Sequence, residues 1–494
     1  MKEYKFLKIP AFLIAVTCLF VLVSNVFNPK RPRITAFYEE PKNSLDVILL
    51  GSSYMANGIN PNVLWEHNKI TSYNLGVGSQ PIWISYFFLK EALKYQTPKV
   101  VVLEAYYLHD LKNYKKYDNY ALEATNRRSL DQLNFSLNKI QAIQASVPTE
   151  EFWDYFFTIN KYHDRWKNLL QKDFQINNEL SVYKGFSKVN RTFVDTRIEK
   201  YGVKIENKPK ALHPKSVDYF KKIVALCREH NIQLVLLKTP MSQFVYSQDH
   251  ADTMMAIKEL ANENDVDVLD FNSFYRNIGF DFKKHMSDQG GHLNGEGTKI
   301  VSKILGDSLE MNYFQNKRTK IGVTEIWNDT FSKYKKLENA KWAVARIKKS
   351  KTLPEYLNYA KSLDLLVLIS VLDDGSGQYR NYHKTFSEIG LTSELNKKFR
   401  WSYLAIKNNK TGYVKEIVDS VAINHTFHMG KLDISMLSIG GNKAGNRSSI
   451  KINGKEYSKN KRGHNFVIVN LKDETVFDAF NVDTHGDNKL IIKR

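Results

Sequence analysis

Four stretches of almost unbroken apolar residues constrain the fold more than anything else in the chain: "DVILLG" at 46–51, "KVVVLEA" at 99–105, "IQLVLLKTP" at 232–240 and "DVDVLDF" at 265–271. Alternating apolarity would leave one face of a sheet in water. Continuous apolarity suits strands covered on both faces, the environment of a parallel sheet. Directly before the third stretch, "HPKSVDYFKKIVALCREHN" repeats Val217, Phe220, Ile223, Val224 and Cys227 at helical spacing. Strand and helix therefore alternate as in a βαβ unit, and the expected fold class is α/β with helices flanking the sheet. Residues 110–200, with "EEFWDYFFTINKYHDRWKNLL", interrupt this alternation and read as a helical insertion over the sheet. Its Trp153, Tyr155, Phe156, Tyr162 and Trp166 are expected to pack rather than bind a ligand, because large aromatics commonly build cores.

At 494 residues the chain has room for two or three domains. The alternation is lost across 313–340, a Lys-rich stretch that marks a boundary. Beyond it, "LLVLISVLDD", "WSYLAIK", "SSIKING", "FVIVNL" and "NKLIIKR" are short strands joined by Gly/Asn turns, so a smaller sheet-rich α/β module with at least one helix is expected. The expected domains are 1–35 (anchor and linker), 44–312 and 320–494. From Ile9 to Phe27 no residue is charged, which predicts one membrane-spanning helix. A cleaved signal peptide is the alternative, but no small-x-small site ends the run before "NPKRPR". Lys2, Lys5 and Lys8 balance Lys30, Arg31 and Arg33 across the segment, so charge alone leaves its orientation open.

A composition of 43% hydrophobic and 25% charged residues is that of a globular chain rather than a disordered one. The formal net charge of +20 suits anionic lipid surfaces, acidic polymers or a Lys-rich solvated surface. Zinc-ligand spacing, helix-turn-helix and ribonucleoprotein motifs are missing from the sequence, so no nucleic-acid partner is expected. Cys18 falls in the apolar segment and Cys227 on a helix, which leaves no intrachain disulfide.

The first apolar strand runs into "GSSY". A serine on a tight strand-to-helix turn exposes its hydroxyl at the carboxyl end of the sheet, facing backbone N–H groups that can receive a developing oxyanion. Such a hydroxyl needs a base. Far downstream, "HMSDQGGHLNGEGTKIVSKIL" places Asp288 four residues before His292, ahead of a helix. A carboxylate there can orient the imidazole and leave its other nitrogen to take the serine proton.

Strand-G-x-S, then "YNLGVGSQPI", then D-x-x-x-H-L-N-x-x-G resemble the SGNH/GDSL hydrolase family over roughly residues 44–312, and most closely its membrane-anchored branch associated with membrane-bound O-acyltransferases. The phrases "LDVILLGSS", "YHDRW", "CREHNIQLVLLKTP" and "GGHLNGEG" also carry that resemblance. It implies Ser53 as nucleophile, Ser52 in the place of the Asp of G-D-S, His292 as base and Asp288 as its acid. It further implies Asn74, Gly78 and Ser79 around the oxyanion, with a backbone N–H near Gly78 or Ser79 as donor. Two features depart from the family pattern. The acid and base are one residue further apart than in D-x-x-H, and the third block's Asn is replaced by "AYYLHD", offering Tyr106, Tyr107 or His109.

The C-terminal segment "SSIKINGKEYSKNKRGHNFVIVNLKDETVFDAFNVDTHG" resembles the opening half of the interleukin-like EMT inducer (ILEI) domain family, and "LLVLISVLDDGSG" with "FSEIGL" and "FRWSYLAIK" its closing half. The halves stand in reversed order within about 340–490, a circular permutation of the kind tolerated where domain termini lie close together. The resemblance implies Asp373, Arg400 and Arg462 as carbohydrate-binding residues; a structural ion-pair network is the alternative.

Together these resemblances imply a membrane-anchored, extracytoplasmic serine esterase or O-acetyltransferase acting on a cell-surface polysaccharide. It would need no metal or organic cofactor, and its acyl supply would come through a membrane-bound O-acyltransferase partner. The rival from another class is a non-catalytic glycan-binding or assembly protein that keeps only the shell of the site.

Overall fold

The computed structural model describes residues 4–29, 32–108, 115–117, 120–121, 123–169, 173, 179–193, 209–242, 248–289, 291–315, 321–485 and 490–494. The chain divides into two compact units, Met1–Tyr334 and Lys335–Arg494. The division falls inside a helix, Ile321–Ile347, so much of the stretch expected as an irregular boundary is helical. The reason is a stripe that the surrounding lysines mask: Trp327, Phe331 and Tyr334 recur at i, i+4 and i+7, and Trp327 and Tyr334 are buried.

In the first unit, five strands form one parallel sheet: β1 (Val47–Leu50), β2 (Ser72–Asn74), β3 (Val100–Glu104), β4 (Gln233–Lys238) and β5 (Asp267–Asp270), in the order β2-β1-β3-β4-β5. The four apolar stretches are four of these strands. The fifth, β2, is only three residues long at the edge and lies within the glycine-rich block, too short to give a period of its own. Successive residues feed opposite faces: Ile48, Leu50, Val101, Leu103 and Leu236 join one core, and Val47, Leu49, Val100, Val102 and Leu237 the other. Both faces being dry is what continuous apolarity demands. The register pairs Leu50 with Leu103, Glu104 with Leu237 and Lys238 with Asp270, so charged residues end three adjoining strands on the carboxyl edge.

The N-terminal helix Tyr4–Phe27 is largely apolar, and from Ile9 to Leu22 most of its large side chains are exposed. Among the described residues, however, no helix is long and apolar enough to cross a membrane. This departs from the expected spanning helix. Lys5 and Lys8 stand in its first two turns and polar Ser24 near its other end is buried, so the exposed apolar stretch is confined to the middle of the helix. Among the described residues the insertion is mostly helical, with a short antiparallel pair Lys115–Tyr117/Tyr120–Ala121, but it does not bury all its rings: Tyr155 is buried, whereas Trp153 is 59% and Trp166 63% exposed.

The second unit is a curled ten-stranded mixed sheet with helices Leu353–Ala360 and Tyr379–Ser387. Its central strand, Leu365–Asp373, pairs antiparallel with Gly463–Asn470 and Ser402–Asn408 and parallel with the end of Leu432–Gly440. Strands Val414–Asp419, Ile423–Met429, Leu432–Gly440 and Thr475–Val482 lie outside those read from the sequence. Much of Val414–Asp419 and Ile423–Met429 is polar and only partly buried, so neither shows the apolar run that marks the central strands.

Candidate active site

Strand β1 ends at Leu50, and the chain turns at Gly51, whose φ of +148° and close approach to β3 both require glycine: a Cβ there would stand 2.5 Å from that of Glu104. Ser52 then caps the helix Ser53–Gly58, its hydroxyl accepting from the Tyr54 N–H at 3.2 Å. The same hydroxyl donates to Glu104 Oε2 at 2.8 Å, while Glu104 Oε1 accepts the Tyr106 N–H at 2.7 Å. Ser52 is fully buried, so of the two serines it is the structural one. Ser53, one residue on, begins the helix and projects its hydroxyl toward His292, with Oγ 2.8 Å from Nε2.

Asp288 and His292 share one short turn. Met286 and Leu293 form an antiparallel bridge, and the Ser287 N–H donates to the His292 carbonyl at 2.9 Å, closing the loop. Inside it, Asp288 Oδ1 accepts the N–H groups of Gly291 (2.8 Å) and His292 (2.9 Å), and Oδ2 stands 2.5 Å from His292 Nδ1. The extra residue between acid and base is absorbed by this wrapped turn, and the carboxylate still meets the imidazole. Burial alone would raise the Asp288 pKa, but the hydrogen bonds from the His292 ring, the His292 N–H and the Gly291 N–H outweigh it and hold the carboxyl down at about 2. Asn294 secures the base of the loop: it caps the helix Gly295–Tyr313 through the N–H groups of Glu296 and Gly297 and donates to the Lys284 carbonyl at 2.7 Å.

The structure brings Ser53, His292 and Asp288 into one hydrogen-bonded chain and separates the roles of the remaining candidates. Asn74 is fully buried, with its amide donating to the carbonyls of Met55 and Ile59 at 2.8 Å each and its oxygen accepting the Gly76 N–H. Its donors are committed, so it braces the loop under the nucleophile helix instead of facing an oxyanion. The loop is also tied down by the Val77 N–H on the Gly51 carbonyl at 3.0 Å. Beyond Val77, the backbone N–H groups of Gly78 and Ser79, like that of Ser53, have no hydrogen-bond partner among the described residues. Ser79 adopts a left-handed φ of 61°, a conformation that costs a non-glycine residue energy and recurs at functional sites.

Sequence reasoning missed Tyr54, Glu104 and Lys238. Tyr54 lies parallel to the His292 ring, centroids 4.9 Å apart and planes 10° from parallel. Tyr106 packs on Tyr54 at 4.6 Å and belongs to this stack. The Tyr107 side chain and His109 lie outside the described residues. Lys238 is buried with its ammonium 4.5 Å from the Tyr106 ring centre. Burial raises the Glu104 pKa, opposed by Lys238 and by the Ser52 hydroxyl, and burial lowers that of Lys238, opposed by Glu104. The available signal was two charged residues closing otherwise apolar strands, "VVVLE" and "LVLLK". Arg128 is a fourth: its Nη1 lies 3.3 Å from where a Gly78 Cβ would stand.

In the second unit, Asp373, Arg400 and Arg462 gather at one end of the central strand. Arg400 Nε is 3.5 Å from Asp373 Oδ1, and Arg462 engages Asp483 through both carboxylate oxygens at 3.2 and 2.9 Å. Asp373 (φ 63°) and Arg400 (φ 60°) are both left-handed, and the Arg400 N–H donates to Asp374 at 2.9 Å. Buried Asp374 also meets His485 Nε2 at 2.6 Å.

No protein-family model matches the chain, and no curated protein matches it in sequence. Solved structures do. A protein assigned to the G-D-S-L lipolytic family from Desulfitobacterium hafniense is 14% identical with a TM-score of 0.26, covering 53% of this chain and 97% of that one. A protein described as an acylhydrolase from Bacteroides fragilis is 12% identical with a TM-score of 0.28, covering 58% and 97%. A GDSL-like lipase from Bacteroides thetaiotaomicron is 10% identical with a TM-score of 0.28, covering 58% and 98%. A likeness this slight identifies no reaction; the chemistry rests on the geometry of Ser53, His292 and Asp288.

Proposed function

We propose that the chain is a serine acyl-esterase or O-acetyltransferase that modifies an extracytoplasmic polysaccharide, with its first unit catalytic and its second a permuted ILEI-like carbohydrate-binding module. The observation that carries this reading is the unbroken path from Ser53 Oγ through His292 to Asp288. In this reading His292 Nε2 takes the Ser53 proton as Oγ attacks the acyl carbonyl, and Asp288 keeps the Nδ1 proton in place and stabilises the imidazolium. The N–H groups of Ser53, Gly78 and Ser79, without a hydrogen-bond partner among the described residues, supply donors for the oxyanion. Collapse of the tetrahedral intermediate expels the leaving group with the proton from His292, and water or a sugar hydroxyl then takes the acyl group by the reverse path.

Attachment to a membrane through the exposed apolar N-terminal helix would place the site beside a membrane-bound O-acyltransferase partner able to deliver acyl groups. The paired charges of Asp373, Arg400 and Arg462, set in left-handed backbone, support a polar sugar site on the second unit. A fluorophosphonate probe tests the core of the reading. The wild-type chain should label at Ser53, Ser53→Ala should not, and glycan from cells carrying Ser53→Ala should show an altered acylation state. Wild-type-like labelling and glycan acylation by folded Ser53→Ala protein would refute it.

A further inference from the structure

The exposed Trp153 and Phe135 of the insertion are not used by this chemistry, and with the half-buried Phe156 and Phe157 they form a continuous chain of ring contacts, a ridge. Phe20 of the N-terminal helix meets Phe157 edge-on at 5.8 Å, Phe157 stacks on Trp153 at 5.8 Å and 13°, Trp153 meets Phe156 at 5.4 Å, and Phe156 meets Phe135 at 5.2 Å. Leu137 beside it is 78% exposed. The carboxyl end of the N-terminal helix is pinned to the same insertion: the Asn28 amide donates to the Asp131 carbonyl at 2.5 Å, and Arg165 Nη1 to the Phe27 carbonyl at 2.5 Å. Arg165 immediately precedes the exposed Trp166, over whose ring Lys167 Nζ stands at 5.6 Å.

We propose that this ridge is a lipid-contact surface that seats the catalytic unit in the interfacial layer of a phospholipid bilayer. Tryptophan suits that layer, since its ring is apolar and its N–H prefers a wet neighbour. The ridge begins on Phe20, on the helix whose exposed apolar face includes Ile9, Phe12 and Leu13, so one surface of contact runs from helix to insertion. The chain's net charge of +20 favours anionic surfaces by long-range attraction. Held this way, the unit would keep a fixed height above the membrane instead of swinging on a single helix.

The inference rests on the membrane attachment proposed above, and the test separates the two. The full chain and its Trp153→Phe variant are mixed with vesicles of phosphatidylcholine and phosphatidylglycerol, and the difference in their emission isolates the ridge tryptophan. The proposal expects both proteins to float with the vesicles. It also expects the difference emission to lose roughly half its intensity when bromines sit just below the headgroups, and less when they lie deep in the chains. Flotation with no bromine quenching, but with quenching by aqueous iodide, overturns the ridge alone. Shielding from iodide without any vesicles overturns it in favour of a second protein copy. Failure of the full chain to float overturns the membrane attachment itself.

Discussion

Asp288→Asn is the substitution whose consequence the geometry specifies most tightly. The carboxylate it replaces has one oxygen fixed by two backbone donors, the N–H groups of Gly291 at 2.8 Å and His292 at 2.9 Å, and the other at His292 Nδ1, 2.5 Å away. Only the carbonyl oxygen of the new amide can accept those two N–H groups, so its NH₂ is turned toward Nδ1. That nitrogen must then accept rather than donate, which moves the ring proton to Nε2, the atom 2.8 Å from Ser53 Oγ. A base in that tautomer cannot take the serine proton. Losing the tautomer and the anion together should cost turnover about 10³- to 10⁴-fold, or roughly 4–5.5 kcal/mol of transition-state stabilisation. The assay is the rate of fluorophosphonate labelling and of p-nitrophenyl acetate hydrolysis, with urea unfolding to show that the fold persists. A folded Asp288→Asn protein keeping more than about a tenth of wild-type turnover would refute the orienting role, because no amide rotamer satisfies both the backbone donors and a protonated Nδ1.

Ser52→Ala removes a helix cap and a donor to a buried carboxylate, so urea unfolding should show a loss of about 1–3 kcal/mol while Ser53 still labels at a reduced rate. Tyr54→Leu removes the ring stacked on His292, worth ~0.5–1.5 kcal/mol, and should lower kcat roughly 3- to 10-fold with KM unchanged, whereas Tyr54→Phe should stay near wild type in the same hydrolysis assay. The Asp288 carboxyl is depressed on folding, from an ordinary ~3.9 to about 2, so its contribution to stability is present above ~4 and is lost as pH falls toward 2. Solvent screening of this half-exposed group leaves about 1 kcal/mol, seen as a shallower acid slope in urea midpoints of Asp288→Asn than of wild type.

The fold was legible where burial writes itself as composition. Strands β1, β3 and β4 are apolar because both their faces are covered, and the edge strand β5 contributes half-buried Val268 and Leu269 to the two cores. Strand β2 gave no such signal because at three residues it never develops a period. The helix across Ile321–Ile347 was masked by its lysines, which hid the stripe of Trp327, Phe331 and Tyr334. At the site, Ser53, Asp288 and His292 could be named because nucleophile, base and acid are a small set of residue types in a fixed order. Glu104, Lys238 and Tyr54 could not, since a Glu and a Lys buried on neighbouring strands and a ring stacked on an imidazole depend on strand register and helix phase that only the folded chain fixes. Trp153 and Trp166 were misread for the converse reason: aromatic residues carry no mark that distinguishes a core ring from a surface one.

The turn carrying Asp288 and His292 is closed by its own bridge and its own backbone hydrogen bonds. Acid and base are therefore assembled within a handful of neighbouring residues, and that part of the site asks little of the rest of the chain. The nucleophile, in contrast, is 239 positions away from the imidazole it meets. In kinetic terms the site has one slow coordinate, the docking of that turn on the end of β1, because closure between such distant positions is entropically expensive and waits for the sheet to form. Serine reactivity should consequently switch on late in refolding, after the backbone signal has recovered, and it reports the completion of the first unit more stringently than any measure of its secondary structure.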